Sequence, residues 1–213
     1  MKFIKYYSLE IYTLISLLLL TISAIFIKPD ITQQIVLAYI FLFVLHEWEE
    51  GHYPGGFIDM VAGVMLGGAD NVTIETKKGS RFFTGIYLIL LTFVPFFAHG
   101  YIWLVLPAMF LGLWEGFIHI MGIKIFQRKK PYTPGMVTAE CELVLGIFVW
   151  YYLAHNDLVQ PIYFLFGFLL MAIGFMCMQR ALVHSVGRKY REMPSMMKAN
   201  IKRMKEAKAN KQF

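Results

Sequence analysis

Six apolar stretches, most of them close to the length that crosses a bilayer, constrain this chain more than any other feature. A hydrocarbon core takes roughly 20 residues of helix. The stretches are Ser8–Ile27, Gln33–Tyr53, Phe83–Ala98, Tyr101–Ile123, Val137–Leu153 and Val159–Val183, of which the third is short. The expected fold is therefore all-α, a polytopic transmembrane helix bundle of six spans. Composition agrees: 58% of the 213 residues are hydrophobic and the mean hydropathy is +0.56, against roughly 45–50% apolar content in a soluble domain.

Punctuation divides the spans. Lys28-Pro29-Asp30, Pro54-Gly55-Gly56, His99-Gly100 and Pro131-Tyr132-Thr133-Pro134-Gly135 stand between them, and Pro and Gly interrupt helices. Ile58–Gly68 is apolar but too short to cross, so a re-entrant or interfacial piece packed on the bundle is expected. With the N-terminus inside, 19 of the 20 Lys and Arg fall on the inner side, Arg81 among them as a loop residue, and Lys28 stands alone outside. Positive charge stays cytoplasmic, so both termini are expected in the cytoplasm and the location is an integral membrane one, in a bacterial cytoplasmic membrane. A signal-peptide reading of the first stretch lacks a clean cleavage site. The domain reading is a transmembrane unit over 1–186 and a basic cytoplasmic tail over 187–213, solvated or touching anionic lipid. The net charge of +6 lies in loops and tails, which argues for membrane lipids as partners and against nucleic acid. Cys141 and Cys177 have no metal-ligand or disulfide spacing and read as buried small apolar side chains.

The informative exceptions are ionisable. His46, Glu49 and Glu50 sit at i, i+3 and i+4 of the second span, on one helix face. Glu115 and His119 are i and i+4 on the fourth. Glu140 and Glu142 open the fifth about 200° apart, so at most one faces the others. Glu140 is the nearer to the helix start, where a carboxylate can also serve free amides. His184 ends the sixth span. On the six-span topology these residues share one depth, near the inner leaflet. Ionisable groups inside a membrane are costly and mark function, and helix bundles build metal sites in this way. The expected ligands are His46, Glu50, His119, Glu140 and His184. The expected general base is Glu49 or Glu115. A mixed His and Glu set suits a divalent zinc, iron or manganese ion. A metal-free alternative is a protonated carboxylate pair acting as acid and base.

His46-Glu47-Trp48-Glu49-Glu50 is an H-x-x-E-E motif. It is followed by Glu115-Gly116-Phe117-Ile118-His119 and by the Tyr132–Thr138 turn, Y-x-P-G-x-x-T. In this order the three resemble the HXXEE family of small polytopic membrane proteins, over roughly residues 35–185. The resemblance implies a membrane protein with a functional polar motif and names no reaction. Read by itself, the Pro134-Gly135 turn bends tightly and Thr138 is expected to cap the fifth span, fixing Glu140 beside the second and fourth.

The function expected from these residues is an intramembrane enzyme at the cytoplasmic leaflet. It would be a metal-dependent hydrolase acting on a hydrophobic substrate: a lipid, a prenyl or acyl group, or a membrane peptide. Alternatives from other classes are a proton-coupled transporter and a non-catalytic membrane scaffold or immunity factor.

Overall fold

The computed structural model describes residues 2–66, 73–185 and 187–209. The described residues form helices α1 (Lys2–Tyr6), α2 (Ser8–Phe26), α3 (Ile31–Gly51), α4 (Phe57–Leu66), α5 (Ile74–Phe97), α6 (Leu106–Ile125), α7 (Met136–His155), α8 (Pro161–Ser185) and α9 (Met193–Ala209), and no strand. Helices α2, α3, α5, α6 with its leading turn, α7 and α8 are long and apolar enough to cross a membrane.

Two boundaries differ from expectation for stated reasons. Helix α5 begins at Ile74, not Phe83, because Thr73 caps it: its hydroxyl accepts the Thr76 N–H at 3.1 Å. Its added turns carry Lys77, Lys78 and Arg81, so Arg81 is not a loop residue but a buried helical one. The basic tail is not free either. Helix α9 packs on α4, and Asn200 donates to the Val64 carbonyl at 2.7 Å. Helix α4 takes the place of the short apolar piece expected over Ile58–Gly68, of which Gly67 and Gly68 lie outside the described residues, as does the tail beyond residue 209. Lys77 on α5 holds α4 through Asp59 at 2.6 Å.

Polar bonds tie the long helices in pairs. Trp48 donates to Thr13 at 2.8 Å, joining α3 to α2, and the Tyr87 hydroxyl donates to the Met171 carbonyl at 2.9 Å, joining α5 to α8. At the far end Asp30 and Gln33 form a reciprocal cap on α3, and Asp30 also pairs with His99. Reciprocal caps satisfy free helix-end amides. The outer surface is apolar: Leu14, Leu18 and Ile22 on α2, Val144 and Phe148 on α7, and Leu165, Leu169 and Ile173 on α8 are exposed. An apolar skin of this extent marks a surface meant for lipid rather than water. Cys141 and Cys177 are exposed, which corrects the buried reading; each lies on an outward side of its helix.

Helices α6 and α7 make the most extensive packing of the bundle. A Cβ on Gly116 would stand 2.6 Å from the Leu143 Cβ and 3.1 Å from the Ala139 carbonyl oxygen. Gly116→Leu is therefore expected to force the pair apart and to destabilise the protein by about 1–3 kcal/mol, read as a lowered melting temperature in detergent. An unchanged melt contradicts the close packing.

Candidate metal centre

The site is assembled from the end of α3, the second half of α6 and the turn that joins α6 to α7. His46 and Glu50 lie one turn apart on α3, and Glu115 and His119 one turn apart on α6. Each pair shares a helix face because four residues make just over one turn. The two faces meet: the His46 and His119 rings are 5.1 Å apart, edge to face. One ligand atom from each of His46, Glu50, Glu115 and His119 falls within 4.8 Å of the others. Such a group could hold a metal ion.

The hydrogen bonds assign the imidazole tautomers. His46 Nδ1 lies 3.1 Å from the Gly135 carbonyl oxygen, which can only accept, so Nδ1 carries the proton. The Thr138 hydroxyl, 3.0 Å from the same nitrogen, donates to Glu49 at 2.7 Å and therefore accepts from His46. At His119 the Thr133 hydroxyl donates to the His119 carbonyl at 3.3 Å and accepts from Nδ1 at 2.9 Å. In both rings the proton points to the α6–α7 turn and the Nε2 lone pair points inward. That is how backbone and hydroxyl groups orient metal-binding imidazoles.

The inward lone pairs meet carboxylates. Glu50 Oε1 is 3.1 Å from His119 Nε2 and 3.4 Å from His46 Nε2, and Glu115 Oε2 is 3.9 Å from His119 Nε2. Lone pair against carboxylate repels unless a cation, a proton or a metal ion, lies between. Two ligands on a tetrahedral ion with bonds near 2.0–2.1 Å stand about 3.3 Å apart, so the spacing fits a small divalent ion. Phe57, the first residue of α4, stacks on the His119 ring at 4.6 Å and closes one side.

Gly135 makes the approach possible. It has φ +90°, and a Cβ there would stand 2.6 Å from Glu50 Cγ and 2.8 Å from His119 Cε1. Only glycine combines that backbone with no side chain.

The other expected residues are placed differently. Glu49 points out of the group. Its Oε1 accepts from the Tyr132 hydroxyl at 2.9 Å and the Val137 N–H at 3.2 Å; its Oε2 accepts from the Thr138 N–H at 2.8 Å and hydroxyl at 2.7 Å. It caps α7 from another helix, the role expected of Thr138, because Gly135 at the cap position has no side chain to do so. All its acceptor capacity is engaged, so it is an anchor rather than a base. Tyr132 reports the bond: burial, and then its bond to Glu49, push its phenol up to about 12. Glu140 is half-buried and does not join the group, nor does His184, which is exposed at the end of α8. Glu142 is the acid of α7 that turns inward, fully buried, with neither carboxyl oxygen hydrogen-bonded among the described residues. The buried stripe Ala139, Glu142, Gly146, Val149, Leu153 passes through it, and that period is the sequence signal for choosing it over Glu140.

A cavity of about 390 Å³ opens beside the group. His46, Glu47, Glu50 and Glu115 form its polar end with Arg81, and Phe43, Trp114, Ile118, Phe175 and Met178 its apolar wall. Arg81 donates to the Gly51 carbonyl at 2.7 Å and to His52 Nε2 at 3.3 Å. Burial, and then the Arg81 charge, lower the His52 pKa, which keeps that ring neutral and able to accept.

Glu49→Ala is expected to lower stability by about 2–4 kcal/mol, since it leaves charge-assisted bonds unmade at the start of α7; Glu49→Gln loses less. Chemical or thermal unfolding in detergent reads both. If Glu49→Ala is as stable as the parent, the anchor role is wrong. Comparison with protein-family models, curated proteins and solved structures finds no match, so the family resemblance rests on the motif residues alone.

Proposed function

We propose that this chain is an intramembrane metal-dependent hydrolase. It works at the cytoplasmic leaflet of a bacterial cytoplasmic membrane, with both termini inside, on a lipid, a prenyl or acyl group, or a membrane peptide. The observation that carries this is the convergence of two inward Nε2 lone pairs and two carboxylates beside an apolar cavity that His46, Glu50 and Glu115 line. Zinc, iron and manganese are the ions that a mixed nitrogen and oxygen set favours. When bound, such an ion supplies a Lewis acid and a water of lowered pKa.

The protein groups divide the work. His46, His119 and Glu50 are the ligands. Thr138 with the Gly135 carbonyl, and Thr133, hold the imidazoles in the ligating tautomer. Glu115 stands farthest from the imidazole nitrogens and lines the cavity, so it takes the proton of an attacking water and returns it to the leaving group. The apolar wall excludes bulk water and receives the hydrophobic part of the substrate.

Metal analysis of the purified chain tests the reading. One transition metal ion per chain is expected, lost together in His46→Ala, Glu50→Ala and His119→Ala. Thr133→Val should keep the fold and weaken metal affinity about 10–100-fold. Glu115→Gln should keep the metal and slow hydrolysis of p-nitrophenyl palmitate in micelles by about 10²-fold or more. A metal-free protein, or hydrolysis indifferent to a chelator, ends the proposal.

One observation favours a second reading, proton-coupled transport. Ser8, Tyr12, Ser16 and Ser23 form a buried polar stripe along α2, and Tyr12 lies within electrostatic range of Glu47 and Glu142. Proteoliposomes holding the chain should then acidify when a proton gradient is imposed. Tight vesicles, in which Glu142→Gln behaves like the parent, exclude it.

A further inference from the structure

Arg81 is the only Lys or Arg among the described residues that line the cavity. It is 8% exposed, and no carboxylate among the described residues lies within ion-pair distance of it. A guanidinium has five N–H donors. Two are engaged, one with Gly51 and one with His52, and its Nε is buried without a partner among the described residues. A buried cation left this incompletely satisfied is costly.

Its seat is built. A Cβ on Gly51 would stand 2.7 Å from Nη2 and 3.0 Å from Cζ, so any side chain at residue 51 would have to displace the guanidinium. Thr76, Ser80 and Thr84 recur at every fourth residue of α5 and line the same cavity. The Thr84 hydroxyl donates back to the Ser80 carbonyl at 3.1 Å. The rest of the lining is mostly apolar, with Trp114, Phe175, Met178, Met193 and Met197. The cavity thus combines one guanidinium, side chains of the His and Glu group and a largely apolar wall. A volume of about 390 Å³ is at the small end of ligand sites, which suits one hydrocarbon chain rather than two.

We propose that Arg81 receives the oxyanion head, phosphate or carboxylate, of a single-chain amphiphile whose tail lies along the methionine and aromatic wall. The planar fork of arginine matches an oxyanion with two parallel bonds. The inference rests on the hydrolase reading and names its substrate class: an amphiphile whose anionic head is joined to its chain through an ester or amide. Water adds at the carbonyl carbon or phosphorus and the departing oxygen or nitrogen takes the proton, in the cavity that His46, Glu50 and Glu115 also line.

Binding to the full chain in non-ionic detergent tests it, with radiolabelled hexadecyl phosphate and palmitate as probes. Either or both should bind saturably, and hexadecanol, which has the same chain without the charge, should compete at least about tenfold more weakly. Arg81→Gln should weaken the anionic probe by about tenfold or more and leave hexadecanol unchanged, and Arg81→Lys should recover part of the loss. Gly51→Ala should weaken the probe by displacing the guanidinium without removing its charge. The comparison of head groups on the parent chain decides the matter even if a variant fails to fold. Equal binding of hexadecanol, indifference to Arg81→Gln, or competition by inorganic phosphate at the concentration of the amphiphile would overturn the proposal. Metal content separates the two readings. A metal-free chain with Arg81-dependent binding sinks the hydrolase and keeps the amphiphile site; a metal-loaded chain with Arg81-independent binding does the reverse.

Discussion

One carboxylate holds the site in register. Glu49 accepts four hydrogen bonds from the Tyr132–Thr138 segment, two of them from first-turn amides of α7. A helix start carries free N–H groups and partial positive charge, so a carboxylate there is favoured on both counts. Here the carboxylate comes from a neighbouring helix, and the cap becomes a clamp between α3 and α7. The same segment supplies Thr133, the Gly135 carbonyl and Thr138 to the two imidazoles. Moving α7 relative to α3 would therefore break the clamp and turn both histidines at once. Orientation of the two imidazoles and closure of the bundle are one set of contacts.

Charge is the second constraint. Glu50 and Glu115 approach His46 and His119, and Glu47 and Glu142 are buried carboxylates of the same bundle. In such surroundings unpaired charges are expensive, and like charges cannot all ionise together. Both imidazole protons are directed away, to the α6–α7 turn. Something positive must then stand between the lone pairs and Glu50. Protons could do this at a carboxylate, and a divalent ion does it for several ligands at once. The metal reading proposed above draws on the orientation of the rings, since a site relying on protons alone has no need to turn both Nε2 atoms to one point.

The fold was legible because lipid permits so few solutions. Apolar length and loop charge give six helices, and i to i+4 spacing puts His46 with Glu50 and Glu115 with His119. What could not be read depends on where helices begin and what caps them. Glu49 belongs to the motif, yet its partners in the Tyr132–Thr138 segment come from 83 and more residues away, and no local pattern distinguishes an anchor from a base. Glu140 looked nearer the helix start, but a helix opening at Met136 after a left-handed Gly135 turns Glu142 inward instead. Arg81 looked like an inner-loop charge because polar residues hide the first turns of α5. Its burial follows only once Thr73 starts that helix early and Gly51 leaves room for the guanidinium.

Two parts of the cavity wall follow different rules. One belongs to long helices, whose position is set by apolar length. Helices α4 and α9 are too short or too polar to cross, yet Phe57, Ile58, Val61, Met193 and Met197 all reach the cavity. What holds them is local: the Lys77–Asp59 pair, the Asn200–Val64 bond and the stack of Phe57 on His119. Few contacts of this kind make for low local stability, so α4 and α9 are the less firmly held part of the wall. Methionine suits such a wall, because its unbranched chain adapts to apolar shapes of different outline. A rigid polar end and an adaptable apolar side are what a site needs if it grips one head group firmly and tolerates variation in the chain attached to it.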